Sequence, residues 1–230
     1  MGLTLPDSAE MGDLGATASR ISQIGELLVE RAGVEPGMEV LDVGTGPGNA
    51  ALPAAKRGAR VIGLDGSPEL LAIARERAAD AMVEIDWAEG SLEALPFGDD
   101  SFDRVLSVFG HTFAPDPGRA AAELLRVCKP GGAIGVCGWT TNGVGGHLER
   151  LAGVEPVWSS EERVRDLLGA PTAEVEFERR IVSFDADPED WSDFVARSIE
   201  PFLQGRQDGL HRELQGLEPD QEYVVAVVKL

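Results

Sequence analysis

The sequence predicts an α/β fold with a mostly parallel β-sheet and helices on both faces. Short apolar runs alternate with helical patterns through residues 17–139, as in parallel strands joined by crossover helices. A glycine-rich turn at residues 44–48 directly follows the first apolar run, where a strand would enter a helix. Further apolar segments at residues 175–185 and 223–229 bring the predicted number of strands to seven.

The first half of the chain is predicted to begin with a helix over residues 17–32. Ile21, Ile24, Leu27 and Leu28 fall at helical spacing within it. The elements that follow are a strand at 39–43, a helix at 49–57, a strand at 60–64, a helix at 68–79 with Pro68 in its first turn, and a strand at 82–87.

The second half continues the alternation as far as Trp139 and then changes. Pro130 and Gly131 end a predicted helix before the fifth strand. The predicted elements are a strand at 103–108, a helix at 118–128, a strand at 133–139, a glycine-rich loop at 140–146, helices at 147–152, 160–168 and 188–203, and strands at 175–185 and 223–229.

The ends of the first two strands carry the clearest chemical signal. Gly44 and its neighbours Gly46 and Gly48 follow the first strand, and Asp65 follows the second. Parallel strands deliver such residues to the same edge of a sheet, where open α/β sheets bind nucleosides. Glycines let the backbone approach a ligand closely, and a carboxylate can accept hydrogen bonds from both hydroxyls of a ribose. The sequence therefore predicts a site for an adenosine-containing cofactor.

The spacing of the loop distinguishes it from a dinucleotide loop. The glycines read G-x-G-x-G, and Asn49 stands where the third glycine of G-x-G-x-x-G would be. With Asp42 two residues before the first glycine, the loop resembles the cofactor loop of class I S-adenosylmethionine-dependent methyltransferases. Residues 89–105 and 124–132 are similar to two further motifs of small-molecule methyltransferases, E-G-S-L-E-A-L-P-F…S-F-D-R-V and L-L-R-V-C-K-P-G-G here. The resemblance covers about residues 20–140 and is closest to the methyltransferase type 11 group, which includes ubiquinone and menaquinone methyltransferases.

This resemblance implies an organisation for the whole chain. The expected fold is a Rossmann-like, seven-stranded, mostly parallel sheet with a reversed C-terminal hairpin. It would form one methyltransferase domain over residues 1–230, in four parts: an N-terminal helical cap at 1–35, a cofactor-binding core at 36–139, a substrate-capping insertion at 140–205 and a closing strand region at 206–230. The expected cofactor is S-adenosylmethionine, and the expected partner is a small-molecule methyl acceptor.

The same resemblance assigns residues to the cofactor. Asp42 would face the cationic methionine end of the cofactor. Ser91 stands where the family usually has an acid against the adenine, so its hydroxyl would accept a hydrogen bond without charge. The residues expected at the cofactor are Asp42, Gly44, Thr45, Gly46, Gly48, Asn49, Asp65, Gly66, Ser67, Gly90, Ser91, Leu92, Ser107 and Val108.

Three further side chains are candidates for the acceptor side of the site. His111 follows the fourth strand, at the edge that carries the cofactor loop, and could remove a proton from a hydroxyl or amine. The alternative is that it packs or hydrogen-bonds near the cofactor. Trp139 ends the fifth strand and is a candidate acceptor contact, as is His147 in the capping segment. No catalytic metal set is expected.

Composition excludes several kinds of partner. With 40 acidic and 20 basic residues the net charge is −20, which disfavours nucleic acids and anionic membranes. Cys128 and Cys137 lack ligand spacing and are expected to be buried free thiols. The chain shows no apolar run long enough to span a membrane and no signal segment, so we expect it to be cytoplasmic. The oligomeric state is left open between a monomer and a homodimer.

Three functional hypotheses follow. The first is methyl transfer from S-adenosylmethionine to an oxygen, nitrogen or carbon nucleophile of a small molecule, such as a polyketide, quinone or glycoside of secondary metabolism. The second is a non-catalytic cofactor-binding or regulatory protein on the same fold. The third is an NAD(P)-dependent reductase, which is disfavoured because Tyr223, the one tyrosine, has no lysine four residues on.

Overall fold

A computed structural model describes residues 21–141, 157–169, 173–183 and 220–230. The strands are β1 (Glu39–Val43), β2 (Arg60–Asp65), β3 (Asp86–Glu89), β4 (Phe102–Val108), β5 (Cys128–Trp139), β6 (Glu174–Ser183) and β7 (Asp220–Lys229). The helices are α1 (Ser22–Arg31), α2 (Ala51–Lys56), α3 (Pro68–Asp80), α4 (Pro117–Val127) and α5 (Glu161–Leu168), with a 3₁₀ turn at Gly110–Phe113.

The seven strands form one mixed sheet in the order β3-β2-β1-β4-β5-β7-β6. Strands β1 to β5 are parallel to one another, and β7 runs antiparallel between β5 and β6. The strand order reverses beside β1, which pairs with both β2 and β4. This topology confirms the predicted mostly parallel sheet with a reversed C-terminal pair, and it puts a crevice at the carboxyl ends of β1 and β4.

Two apolar clusters cover the two faces of the sheet. On one face, Ile24 and Leu28 of α1 are fully buried in the same cluster as Leu106 of β4. On the other face, Leu124 of α4 and Val164 of α5 are buried in a second cluster. The sheet is therefore a central layer between helices, as continuous apolar strands require.

The structure corrects the prediction for β3, which begins at Asp86 instead of residue 82. Met82 has a left-handed backbone with φ of 55°, and the Val83 N–H donates to the Ala78 carbonyl at 3.1 Å. Residues 82 and 83 therefore end α3 instead of starting a strand. The strand continues to Glu89, which lies opposite Asp65 of β2.

Within the described residues the other boundaries differ by smaller amounts, except at β5, and the predicted start of α1 at residues 17–20 lies outside those residues. That strand begins at Cys128, which pairs with Phe102 ahead of a register shift, so the predicted break at Pro130 and Gly131 is an irregularity within the strand. The helices expected at residues 147–152 and 188–203 lie outside the described residues. Among the described residues, no helix is long and apolar enough to cross a membrane.

Candidate functional site

The glycine loop between β1 and α2 lies against the carboxyl end of β2. The Thr45 N–H donates to the Leu64 carbonyl at 2.9 Å, and the Gly46 N–H donates to Asp65 Oδ2 at 2.7 Å. Asp42, one residue before the end of β1, lies under the loop. The structure thus brings together both carboxylates that the sequence assigned to the site.

Asp42 is fully buried, and one of its oxygens is left without a partner. Its Oδ2 accepts hydrogen bonds from the Thr45 hydroxyl at 2.7 Å and from the Ala51 N–H at 2.8 Å. Its Oδ1 has no hydrogen-bond partner among the described residues. Burial raises the pKa of Asp42 to about 7, although the two hydrogen bonds oppose that shift. A cationic group that reached Oδ1 would therefore favour the ionised form.

Asp65 is also buried, but both of its oxygens accept backbone hydrogen bonds. Besides the bond from Gly46, Oδ1 accepts from the Ser67 N–H at 2.9 Å. Burial raises the pKa of Asp65, and these backbone donors oppose the shift. Ser67 in turn caps α3, because its hydroxyl accepts from the Leu70 N–H at 3.2 Å. Each oxygen of Asp65 keeps a second lone pair for a ligand hydroxyl.

Gly44 and Gly46 serve different purposes in the loop. Both have left-handed backbones, with φ of 62° and 52°. A Cβ on Gly44 would lie 2.8 Å from Gly110 Cα, so the loops after β1 and β4 touch through their backbones. A Cβ on Gly46 would meet nothing within 4 Å, so this part of the loop borders open space.

The loop after β3 adjoins the same edge. The Gly90 N–H donates to the Asp65 carbonyl at 3.0 Å, which holds the start of this loop beside the end of β2. Ser91 is exposed, and its hydroxyl accepts from the Glu93 N–H at 3.2 Å. Leu92 packs against the apolar cluster on the α4 face. The exposed hydroxyl of Ser91 is available to a ligand at this edge.

The end of β4 is tied to β1 through Ser107. The Ser107 hydroxyl donates to the Val43 carbonyl at 2.6 Å and accepts from the His111 N–H at 3.1 Å. Between them, Phe109 has a left-handed backbone with φ of 63°, which is uncommon for a bulky residue. The chain therefore turns sharply after Val108 and returns against the glycine loop at Gly110.

His111 is fully buried beside Trp158, which precedes α5. The two rings meet edge to face, with centroids 4.5 Å apart. Neither ring nitrogen of His111, nor the Trp158 indole nitrogen, has a hydrogen-bond partner among the described residues. Burial lowers the pKa of His111 to about 3, so the imidazole is neutral near pH 7.

Trp139, at the end of β5, is part of an aromatic group that includes two residues not predicted for the site. Its indole stacks on Phe109 with centroids 4.1 Å apart and planes 3° apart, and it meets Tyr223 edge to face at 6.4 Å. Trp139 is partly exposed, whereas the other two are buried. His147, the other predicted acceptor contact, lies outside the described residues.

Arg77 of α3 is a residue near the loop that sequence reasoning missed. Its Nη1 donates to the Pro47 carbonyl and to Asn49 Oδ1, the latter at 3.1 Å. Arg77 lies beside the buried Ala74 and Ala78 on the same helix. A charged residue next to a buried helical face needs a polar partner, and this pattern could have identified Arg77 from the sequence. In the ranges that the structure describes, no group of three or more His, Cys, Asp or Glu side chains could hold a metal ion.

A protein-family model and several known proteins are similar to this chain. A family model described as a methyltransferase domain matches residues 40–132, from β1 into β5. The uncharacterized protein Rv1405c of Mycobacterium tuberculosis is 44% identical over 173 residues, which is 69% of this chain and 62% of that protein. Rv1403c of the same organism, also uncharacterized, is 39% identical over 189 residues, 76% of this chain and 68% of that protein. The chain thus spans about 62% of the length of the first of these relatives.

Other similar proteins have described functions or solved structures. A demethylmenaquinone methyltransferase of Renibacterium salmoninarum is 43% identical over 108 residues, 47% of this chain and 44% of that enzyme. The crystal structure of YcgJ from Bacillus subtilis covers 90% of this chain and 98% of its own, with a TM-score of 0.69 and 19% identity. A SAM-dependent methyltransferase structure from Aquifex aeolicus covers 97% of this chain and 99% of its own, with a TM-score of 0.61 and 18% identity. These two structures show the fold alone.

Proposed function

The chain belongs to the class I S-adenosylmethionine-dependent methyltransferases, whose cofactor is S-adenosylmethionine, and we propose that it transfers the methyl group of this cofactor to a small molecule. The observation that carries the proposal is the buried Asp42, whose Oδ1 has no partner in the described part of the chain, next to a loop whose Gly46 borders open space. An orphaned carboxylate oxygen beside an open backbone suits a cationic amino-acid ligand.

The residues at this edge fit S-adenosylmethionine. Asp42 would accept a hydrogen bond from its ammonium group, and Asp65 would accept from its ribose hydroxyls. The other cofactor residues proposed are Gly44, Thr45, Gly46, Gly48, Asn49, Gly66, Ser67, Gly90, Ser91, Leu92, Ser107 and Val108. When bound, the cofactor supplies a methyl group that its sulfonium makes electrophilic. The task of the protein is then to align the acceptor and exclude water.

On the acceptor side, His111 is proposed as the general base. Its imidazole is neutral near pH 7, but a pKa of about 3 makes it a weak base, so this role requires the bound cofactor or acceptor to raise that pKa. Trp139 is proposed to pack against the acceptor, and His147 to contact it. The four-part division at residues 35, 139 and 205 stays a prediction.

The acceptor we propose is planar and partly apolar. Phe109 and Trp139 form a flat stack at the carboxyl ends of β4 and β5, which suits a ring system. The demethylmenaquinone methyltransferase relative, similar over 47% of the chain, also favours a quinone-like or natural-product acceptor. The buried free thiols Cys128 and Cys137 agree with a reducing cytoplasm, and we expect a monomer or homodimer there.

Calorimetric titration tests the cofactor part of the proposal. S-adenosylmethionine and S-adenosylhomocysteine should bind with micromolar affinity, whereas NADH and NADPH should not. Asp65→Ala should weaken binding about a hundredfold, because it removes a buried charged acceptor. Asp86→Ala, an exposed aspartate at the opposite end of neighbouring β3, is the matched control and should bind normally. Absence of binding by the unmodified protein would refute the proposal.

A second assay separates catalysis from mere cofactor binding. The protein would be incubated with S-adenosylmethionine and a panel of quinols and phenolic natural products, and products would be detected by mass spectrometry. Formation of a methylated product would support the proposal that the protein is a methyltransferase. Tight cofactor binding with no transfer to any member of the panel would favour the non-catalytic alternative instead.

A further inference from the structure

We propose that Arg77 of α3 is a positioning residue that holds the outer half of the glycine loop, residues 47–49, in the shape that receives the cofactor. This inference rests on the proposed function, since it concerns the same loop. Arg77 contacts Pro47 and Asn49 of the loop, so its effect on the cofactor would be exerted through them.

The contacts of Arg77 fall on two successive parts of the loop. Its Nη1 donates to the Pro47 carbonyl and, at 3.1 Å, to Asn49 Oδ1. One guanidinium nitrogen therefore links a backbone acceptor and a side-chain acceptor that are two residues apart. Because Arg77 lies on α3, which packs against β2 and β3, these bonds fix the loop to a rigid element.

The outer half of the loop depends on this contact more than the inner half does. Thr45 and Gly46 are held to β2 through their own N–H groups. Pro47 has no N–H to donate, and the Gly48 N–H bonds within the loop to the Thr45 carbonyl. Among the described residues, the side-chain hydrogen bonds that reach residues 47–49 come from Arg77. The adjoining helix α2 adds one backbone bond, from the Leu52 N–H to the Gly48 carbonyl at 3.0 Å.

The charge of Arg77 is directed to the loop and not to a surface ion pair. Within the described ranges, no carboxylate forms a salt bridge with its guanidinium. Burial lowers the pKa of Arg77, yet an arginine stays charged at neutral pH. Both bonds are therefore charge-assisted, and such bonds are stronger than neutral ones. A partly desolvated cation with two loop acceptors is well suited to restrain a segment that contains glycine and proline.

Two measurements on three variants test the proposal. Arg77→Met removes the donor, Arg77→Lys keeps the charge with a different donor geometry, and Arg75→Met alters an exposed arginine on the same helix as a matched control. Amide hydrogen exchange would follow the loop without cofactor, and calorimetry would follow binding of S-adenosylhomocysteine.

We expect Arg77→Met to speed exchange at Gly48 and Asn49 with little change in β1 or β4, and to weaken S-adenosylhomocysteine binding about tenfold. Arg77→Lys should recover part of both effects, and Arg75→Met should match the unmodified protein. Unchanged loop exchange in Arg77→Met, or an equal effect of Arg75→Met, would overturn the proposal. If Arg77→Met does not fold, Arg77→Lys carries the same test. Failure of the unmodified protein to bind would count against the proposed function, whereas the exchange result would still judge Arg77.

Discussion

Asp42 is the residue whose protonation we expect to be linked most directly to cofactor binding. Its pKa is raised to about 7 by burial, and an ammonium at Oδ1 would lower it. Binding below pH 7 would then release a proton from Asp42. We expect the affinity for S-adenosylhomocysteine to fall as pH is lowered from 7, approaching tenfold per pH unit, and to be nearly independent of this group above pH 7.

Calorimetry between pH 5.5 and 8, in buffers of different ionisation enthalpy, measures both the affinity and the number of protons released. Asp42→Asn is the matched control, because its amide has nearly the same shape and does not titrate. It should bind more weakly and lose the proton release. Equal proton release by the unmodified protein and Asp42→Asn would show that Asp42 is not the linked group.

The protonation of His111 is linked to folding. Its pKa is about 3 in the folded protein, whereas an exposed histidine titrates near 6.5. The unfolded chain therefore binds a proton first, so the contribution of His111 is complete above pH 6.5 and is lost as pH falls from 6.5 toward 3. We expect the free energy of unfolding to decrease by about 1.4 kcal/mol more in the unmodified protein than in His111→Leu between pH 7.5 and 5.5.

Urea unfolding of both proteins at the two pH values measures this difference. The comparison is needed because Asp42, with a raised pKa, changes stability in the opposite direction over the same range. That contribution, and those of the other two histidines, cancel between the two proteins. Parallel pH dependence in both would mean that His111 is not a buried neutral group.

Residues of the site differ in how well the sequence could predict them. Gly44 and Asp65 lie where strand ends and glycine spacing indicated, because sheet topology fixes both. Phe109 and Trp158 were not predicted for the site. Phe109 matters because of its left-handed φ, and Trp158 because its ring meets that of His111 edge to face across 47 residues of sequence. No local sequence pattern indicates either feature.

Strand boundaries were predictable where burial and hydrogen bonding agree. Strand β1 has the predicted bounds, because it lies between two parallel neighbours and is almost wholly buried. The start of β3 was predicted too early. Val83 and Ile85 alternate with polar residues as in a strand, but Met82 and Val83 form the end of α3. Residues with a strand-like pattern that instead form the end of a helix can be recognised only from the tertiary structure.

The contact between the loops after β1 and β4 gives a prediction at the level of elements. Gly44→Ala should reduce the free energy of unfolding by more than about 2 kcal/mol, because its φ is 62° and its Cβ would lie 2.8 Å from Gly110 Cα. Gly37→Ala is the matched control, since Gly37 has φ of 82° with nothing within 4 Å of the added Cβ. It should reduce the free energy by about 1 kcal/mol, from backbone strain alone.

Urea unfolding measures both variants, and binding of S-adenosylhomocysteine by whichever variants fold completes the test. Gly44→Ala should also lose affinity, because the loop would have to move away from β4. Equal destabilisation by the two substitutions would indicate that backbone strain explains Gly44 and that the approach to Gly110 contributes little.

At the level of the whole molecule, the topology was predictable and the acceptor was not. The alternation of strands and helices requires a parallel sheet, and the family motifs imply its reversed end, as the order β5-β7-β6 confirms. The proposed acceptor contacts are side chains that converge from distant segments, such as Trp139 on Phe109. The family model also ends at residue 132, before most of these segments begin.

The net charge of −20 gives the last prediction, which concerns stability. Excess negative charge repels itself in the compact state, and salt screens that repulsion over a Debye length of about 10 Å at 0.1 M. Salt also weakens surface ion pairs such as Arg60–Glu39 and Arg165–Glu161, but both are substantially exposed, and exposed pairs contribute at most about 1 kcal/mol each. Repulsion should therefore dominate, and raising NaCl from about 10 mM to about 300 mM should increase the free energy of unfolding by about 1 kcal/mol. Urea unfolding at each concentration measures the change, and KCl at equal ionic strength should reproduce it if screening is the cause. A fall in stability with salt would mean that the ion pairs outweigh the net charge.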